Sequence, residues 1–159
     1  MPVRYHSFRA GGDRYVPVDL EIWGCPLNKY QLLEAVVALL QQRRPNLPTH
    51  SVCLDCKRKG IVCVMVAQGV PCLGPATQAG CNALCPTYGR GCYGCFGPVA
   101  TPNPTSLGNQ FIELGMDQAG VSRAFRSFNG YMSAFRVASD HARKFSFTRF
   151  NVSIFSLHL

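Results

Sequence analysis

The chain has 159 residues and a mass of 17.5 kDa, the size of one domain or of a small domain with an accessory region, which excludes a multidomain enzyme. Apolar residues make up 47% and charged residues only 15%, a composition that favours a folded chain over an intrinsically disordered one. The 16 Lys and Arg against 8 Asp and Glu give a formal charge of +8, which permits nucleic acid or an acidic protein as a partner without choosing between them.

The first predicted elements are a strand, a tight turn and a helix. Residues 16–22 (VPVDLEI) alternate apolar and polar, which predicts a short strand, and Pro17 restricts it to a sheet edge or a strand start. After the turn WGCP, residues 28–44 carry a helical stripe of Leu and Val, with Asn28 as N-cap and two arginines at the end. We therefore expect residues 1–48 to form an α/β unit, with Cys25 at the carboxyl end of the strand, where open sheets bind ligands.

The next region, residues 49–99, lacks a sustained helical or strand period. Gly and Pro recur beside cysteines, as in the repeated CLGP at residues 72–75 and CFGP at residues 95–98. An irregular segment of this length needs cross-links to fold, and bound inorganic groups would supply them. Residues 100–144 begin with a linker and predict short helices. Residues 145–159 alternate like a strand, which indicates either pairing with a partner's sheet edge or an unstructured end.

The cysteines dominate the sequence, because eight of the nine fall within the irregular region. Their spacing is Cys-x2-Cys-x6-Cys-x8-Cys-x8-Cys-x3-Cys-x6-Cys-x2-Cys, from Cys53 to Cys95. No apolar run is long enough to span a bilayer, and the first residues do not read as a secretory signal, so we expect a cytoplasmic chain with no membrane contact. In that compartment thiols stay reduced, and dense cysteines are more often metal ligands than disulfides.

Eight thiols make two complete sets of four, which favours two 4Fe–4S clusters. A Cys-x2-Cys turn supplies two neighbouring ligands, and Cys85 before Pro86 matches a ferredoxin-like Cys-Pro. In two-cluster ferredoxins that cysteine serves the other cluster, so chain order does not assign ligands to clusters. Two structural zinc sites with four cysteines each are the main alternative, followed by a disulfide scaffold. Bound clusters would add negative charge, which weakens the argument for nucleic acid as a partner.

The run VCLDCKRKGIVCVMVAQGVPCLGPATQAGCNALCPTYGRGCYGCFGP resembles the cluster-binding region of small subunits of cytosolic nickel–iron hydrogenases, of the nicotinamide-linked or sulfhydrogenase type. The upstream segment VDLEIWGCPLNKYQLLEAVVALL is similar to the strand, Gly-Cys-Pro loop and helix that end the flavodoxin-like domain of those subunits. The same feature occurs in the homologous 20 kDa subunit of NADH:ubiquinone oxidoreductase. The resemblance covers most of the chain, up to about residue 139, and rests mainly on the eight-cysteine pattern, since Gly-Cys-Pro alone is weakly specific.

The resemblance implies a role for each cysteine. Two 4Fe–4S clusters, the medial and distal members of an electron relay, would be bound by Cys53, Cys56, Cys63, Cys72, Cys81, Cys85, Cys92 and Cys95. Cys25 matches the last ligand of the proximal cluster. The family's other proximal ligands precede it, and no cysteine precedes Cys25 here, so we expect a C-terminal part of a small subunit. A third, proximal 4Fe–4S cluster then requires another chain to supply the missing ligands.

The implied function is electron transfer within a heteromeric hydrogenase complex. Electrons from H2 would pass from the nickel–iron site of a large subunit, through this chain, to flavin and iron–sulfur subunits that reduce NAD(P). The chain shows no Ser/His/Asp set, nucleophile elbow or zinc-protease motif, so catalysis belongs to the complex. The competing hypotheses are a zinc-binding interaction module with two four-cysteine sites, and an inactive remnant.

Three further features have a structural and a functional interpretation. His50 lies three residues before Cys53 and is a candidate extra ligand, although eight cysteines make it unnecessary. The basic run at residues 57–59 could steer an acidic redox partner, and solvation of a loop is the interpretation we favour. Tyr88, Tyr93 and Phe96 lie among the cysteines, and we expect them to shield bound groups from water.

Overall fold

The computed structural model describes residues 20–152, with side chains described as far as residue 143. Seven α-helices and one 3₁₀ turn occur in this part of the chain. They are α1 (Lys29–Leu40), α2 (Val52–Arg58), α3 (Val64–Gln68), the 3₁₀ turn (Gly74–Ala76), α4 (Leu84–Thr87), α5 (Pro104–Glu113), α6 (Gln118–Arg126) and α7 (Ser133–Val152). Two isolated antiparallel bridges, Ser51 with Gln78 and Thr77 with Pro98, tie the irregular region together.

Most of the strand predicted at residues 16–22 lies outside the described residues. Its last three residues are described, and their backbone is irregular. The flavodoxin-like α/β fragment therefore stays a prediction. In the described part of the chain the secondary structure is helical, and β pairing is limited to the two bridges.

Helix α1 begins where the sequence predicts it. The side chain of Asn28 accepts a hydrogen bond from the backbone N–H of Tyr30 at 2.9 Å, the usual N-cap arrangement. The helix ends at Leu40, four residues earlier than predicted, because Gln42 adopts a left-handed conformation with φ 55°. The backbone N–H of Arg43 then bonds to the carbonyl of Ala38, which closes the last turn in the manner of a Schellman motif.

The apolar stripe of α1 faces solvent in the described part of the chain. The buried residues of α1 are Gln31, Ala35 and Ala38, so the helix packs mainly through these side chains and not through its apolar stripe. The exposed members of the stripe are Leu32, Leu33, Val36, Leu39 and Leu40. Such a continuous exposed apolar surface is unusual for a monomer and favours association.

The main core lies between α5, α6 and α7. Phe125 is fully buried, with its ring centroid 6.0 Å from that of Phe111 and 5.7 Å from that of Phe135. Each such ring contributes about 2–3 kcal/mol of burial free energy. Leu73 and Ala76 belong to the same cluster, so this helical core also supports the 3₁₀ turn of the cysteine region.

The helices of residues 100–144 coincide with the predicted short helices, but α7 is longer than expected. Its helical backbone continues through Val152, whereas the alternation of residues 145–159 predicts a strand. Helix continuation from α7 therefore prevails over the local alternation in residues 145–152. The remaining tail, residues 153–159, lies outside the described residues.

Candidate metal centre

All nine cysteines lie in the described part of the chain, and all are free thiols. The disulfide scaffold considered above is therefore not the arrangement of this structure. Most of the thiols sit on short helices or the turns between them, which the chain forms where Gly and Pro interrupt longer elements. Cys53 and Cys56 are on α2, Cys63 caps α3, Cys85 is on α4, and the others lie in loops, bends or a turn.

Helix α2 presents its two cysteines on one face, because residues three apart in a helix are neighbours. The helix is held in place by Val52, which is fully buried and whose backbone N–H bonds to the carbonyl of Thr77 at 3.0 Å. After α2 the chain reverses at Gly60, and the N–H of Ile61 returns to the carbonyl of Cys56 at 3.0 Å. Cys63 is thereby kept near the α2 thiols.

The first group of thiols comprises Cys53, Cys56, Cys63 and Cys72. Burial raises the pKa of Cys53 to about 11, and the neighbouring Cys72, Cys56 and Cys63 add to the rise. The pKa of Cys56 is raised by burial and then by Cys72 and Cys63. These mutual effects indicate that the four thiols are neighbours, and a Cβ at Gly74 would lie 3.3 Å from Sγ of Cys72 and 3.6 Å from Sγ of Cys53. The raised pKa values keep Cys53 and Cys56 protonated until a cation compensates the thiolate charge.

The second group comprises Cys81, Cys85 and Cys95, with the buried Cys92 beside it. Burial raises the pKa of Cys85, followed by Cys81 and Cys72, while Arg90 opposes the rise. Burial also raises the pKa of Cys95, and Cys81 and Cys85 contribute. Residues 81–95 therefore form a second thiol site.

Cys72 and Cys92 join the two groups. The backbone N–H of Cys92 donates to Sγ of Cys72 at 3.1 Å, and the N–H of Leu73 donates to the carbonyl of Cys92 at 2.9 Å. Burial raises the pKa of Cys92 to about 12, while the N–H of Gly94 donates to its sulfur at 3.5 Å and opposes the rise. The two thiol sites are therefore adjacent, and the backbone segments at Cys72 and Cys92 lie between them.

Cys25 approaches the second group although it lies far away in sequence. Its backbone N–H donates a hydrogen bond to Cys95 and opposes the rise in the pKa of that thiol. The contact depends on glycines, because a Cβ at Gly24 would lie 2.7 Å from the Phe96 ring, and one at Gly97 would overlap the Trp23 ring. The turn WGCP and the repeat CFGP therefore pack against each other, and Cys25 is left exposed at the edge.

The donor set consists of thiols, which bind zinc or iron–sulfur clusters in proteins. Within residues 20–143 no group of three or more His, Cys, Asp or Glu side chains is close enough to hold one metal ion. Four thiolates on zinc, with Zn–S distances of about 2.3 Å, would stand about 4 Å apart. The ligands of a 4Fe–4S cluster are likewise cysteine thiolates, so the donor type suits either group.

His50 is close to the first group but is engaged elsewhere. Its Nε2 atom lies 2.9 Å from Oδ1 of Asp55, and both side chains are partly buried. The contact of His50 with Asp55 was not predicted from the sequence, although Asp55 lies between two candidate ligands, Cys53 and Cys56. This contact joins α2 to the loop that precedes it. The cysteines therefore remain the candidate ligands, and His50 is not needed as one.

The aromatic residues do not all act as expected. Phe96 is buried at 3% exposure, but Tyr88 and Tyr93 are exposed, so only Phe96 shields the thiols. Besides the hydroxyls of Ser51 and Thr77, which act on Cys53 and Cys92, the structure reveals backbone N–H donors to sulfur at Cys25, Cys92 and Gly94. Sequence reasoning missed them because every residue except proline carries such a donor, and only the fold selects which of them meets a sulfur.

These features define a cysteine-rich chain of the kind that holds metal clusters through thiolates. Comparison with known proteins adds a narrower likeness, although no protein-family model matches the chain. It is 39% identical over 114 residues to the delta subunit of sulfhydrogenase 2 from Pyrococcus furiosus, covering 72% of this chain and 48% of that subunit. It is 38% identical over 124 residues to a subunit of the F420-non-reducing hydrogenase from Methanocaldococcus jannaschii, covering 67% of this chain and 40% of that subunit.

The name of a third relative describes it as an iron–sulfur subunit. The iron-sulfur subunit of the F420-non-reducing hydrogenase from Archaeoglobus profundus is 29% identical over 115 residues, covering 55% of this chain and 36% of that subunit. The chain thus spans about half or less of the length of these relatives. The predicted likeness to hydrogenase subunits is confirmed at this level. The nicotinamide-linked type and the likeness to the quinone-reductase subunit stay predictions.

No helix in residues 20–152 is long and apolar enough to cross a membrane.

Proposed function

We propose that this chain is an electron-transfer polypeptide of a hydrogenase complex and relays electrons through two 4Fe–4S clusters. The observation that carries the proposal is the collection of eight thiols into two adjoining sites linked through Cys72 and Cys92. Adjoining sites suit a relay, because electron transfer slows steeply with distance. The names of the relatives, hydrogenase subunits and in one case an iron-sulfur subunit, support the same function.

The ligands we propose are Cys53, Cys56, Cys63, Cys72, Cys81, Cys85, Cys92 and Cys95. When bound, such clusters supply one-electron storage at potentials set by their surroundings. The chain's own contribution is to exclude water around Cys72 and Cys92, which are buried, and to aim backbone N–H groups at the sulfurs. These donors stabilise the thiolate form and disfavour loss of negative charge from the site.

Cys25 would extend the proposed relay beyond the second thiol site, because it lies beside Cys95. Its exposed thiol and its backbone N–H bond to Cys95 place one more potential ligand beside the second site. We propose that it completes a proximal 4Fe–4S cluster whose other ligands come from another chain. The partners we propose are a nickel–iron large subunit on the Cys25 side and NAD(P)-reducing flavin and iron–sulfur subunits further along.

The test is the metal content of the anaerobically purified chain. We expect about eight irons and eight acid-labile sulfides per chain, with a broad band near 400 nm that bleaches on reduction and an EPR signal in the reduced state. Cys92→Ser should lose iron, whereas Cys25→Ser should retain the full amount, because Cys25 stands outside the eight. About two zincs with no sulfide would overturn the proposal and leave the structural module.

A further inference from the structure

A surface patch next to the first thiol group combines exposed positive charge with exposed valines. We call it the basic–apolar patch, and it consists of Lys57, Arg58, Lys59, Val62 and Val66. All three basic side chains are exposed, and the exposed fractions are 72% for Val62 and 84% for Val66. Cys63, itself exposed, lies between the two valines in the chain. Exposed valines at a metal-binding segment call for an explanation, because nothing in the described fold covers them.

The patch is fastened to the backbone that carries the thiols. The N–H of Lys59 donates to the carbonyl of Asp55 at 3.1 Å, and the N–H of Gly60 donates to the carbonyl of Lys57 at 3.1 Å. The N–H of Ile61 donates to the carbonyl of Cys56 at 3.0 Å. A partner resting on this turn would therefore stand one backbone turn away from a thiol of the first group.

No described carboxylate pairs with the basic side chains of the patch. No ion pair among the described residues includes Lys57, Arg58 or Lys59. The nearest acidic side chain along the chain, Asp55, is largely buried and bound to His50 at 2.9 Å. The patch consequently presents positive charge outward, in the arrangement that attracts an acidic protein surface.

The thiols differ in their exposure to solvent. Cys72 and Cys92 are each 7% exposed, whereas Cys63 is open to solvent beside the patch. An electron exchanged with a protein outside the chain would pass most readily at the Cys63 side. The patch is therefore at the point where a redox partner has the shortest path.

We propose that the basic–apolar patch is the docking surface for an acidic one-electron carrier protein. The inference rests on the electron-transfer function proposed above and adds to the NAD(P)-linked subunits a second place where electrons leave the chain. In each exchange one electron leaves the reduced site of this chain and enters the oxidised one-electron centre of the carrier, with no bond formed or broken. The basic side chains steer the encounter, and the valines supply the dry contact at its centre. The proposal takes the steering role of residues 57–59 in place of the solvated loop that the sequence favours.

The experiment uses the iron-loaded chain and an acidic two-cluster bacterial ferredoxin as the probe. Stopped-flow absorbance measures the second-order rate at which the reduced chain reduces the oxidised probe, at salt concentrations from about 20 to about 300 mM, where screening strengthens. The charge-reversed variant carries Lys57→Glu, Arg58→Glu and Lys59→Glu. Its matched control makes the same change of net charge on α1, α6 and α7, with Lys29→Glu, Arg123→Glu and Arg136→Glu, all at exposed positions.

The expected result is a rate that falls about tenfold or more with rising salt in the unaltered chain. At low salt the charge-reversed variant should lose a similar factor and most of its salt dependence, while the control keeps both. A salt-independent rate, or equal losses in variant and control, would overturn the docking surface. If the Glu variant does not load iron, replacement of the same three residues by Gln gives a milder version of the same test.

Iron and sulfide contents separate the two proposals. A chain with full cluster content and a salt-independent rate contradicts the docking surface and leaves the proposed function standing. A chain without iron and sulfide contradicts both.

Discussion

Replacing Gly91 with Ala tests whether the two thiol sites depend on the close approach of two backbone segments. A Cβ at Gly91 would overlap the carbonyl oxygen of Pro71 and lie 3.3 Å from Cα of Cys72. The obstructing atoms belong to backbone and cannot rotate away. Because Cys92 donates to Sγ of Cys72 at 3.1 Å, forcing the segments apart would also break the link between the two sites.

The magnitude follows from the kind of overlap. Overpacking usually costs about 1–3 kcal/mol, and a clash with backbone belongs at the upper end, so we expect a loss of about 3 kcal/mol in the free energy of unfolding. For a chain of this size that is a fall of about 6–12 °C in Tm. Gly89→Ala is the matched control. Gly89 has a positive φ, 69°, but nothing lies within 4 Å of its Cβ position, so only a backbone cost of about 1 kcal/mol is expected.

The assay compares iron and sulfide per chain, and the thermal unfolding midpoint, for the two variants prepared together. We expect Gly91→Ala to lose most of its iron and Gly89→Ala to retain it. If the two variants show equal iron contents and equal midpoints, the thiol sites do not require the close contact of these segments, and the reasoning is refuted.

Three further predictions concern the core, an ion pair and the surface of α1. Phe125→Ala should lower the free energy of unfolding by about 3–5 kcal/mol in denaturant titrations, whereas Phe128→Ala, at an exposed position, should change it by less than about 1 kcal/mol. The guanidinium of Arg43 lowers the pKa of Glu34 to about 2, so its stabilising contribution is complete above pH 4.5 and fades as the pH falls toward 2. Glu34→Gln should abolish that part of the pH dependence, and an unchanged slope would contradict the pairing. Leu40→Lys should reduce self-association in light scattering without lowering Tm, and a drop in Tm would show that the side chain is packed.

The sequence predicts where helices occur better than it predicts which face of each helix is buried. The start of α1 follows from the side chain of Asn28, which caps the helix through contacts two residues away. Which face of α1 is covered depends on elements distant in sequence, and the predicted stripe is exposed while Ala35 and Ala38 are buried. The end of α7 differs from the prediction for a similar reason, since alternation in a short segment does not outweigh continuation of an existing helix.

The cysteine spacing identifies the thiols of the site but not their neighbours. Cys25 meets Cys95 across 70 positions because glycines allow Phe96 and Trp23 to pack closely, which no periodicity reveals. The likeness to hydrogenase subunits was predictable because eight cysteines at fixed intervals are a rare pattern. The grouping of the thiols required the fold, since Cys72 acts on thiols of both groups.

The unequal exposure of the thiols has a consequence for how the protein withstands air. Cys25 and Cys63 are exposed, so dioxygen and peroxide reach them first, whereas Cys72 and Cys92 are buried. Oxidation of a thiol to sulfinic or sulfonic acid is irreversible for most proteins and removes a ligand. Oxidative damage should therefore begin at Cys25 and Cys63 and reach the buried Cys72 and Cys92 last.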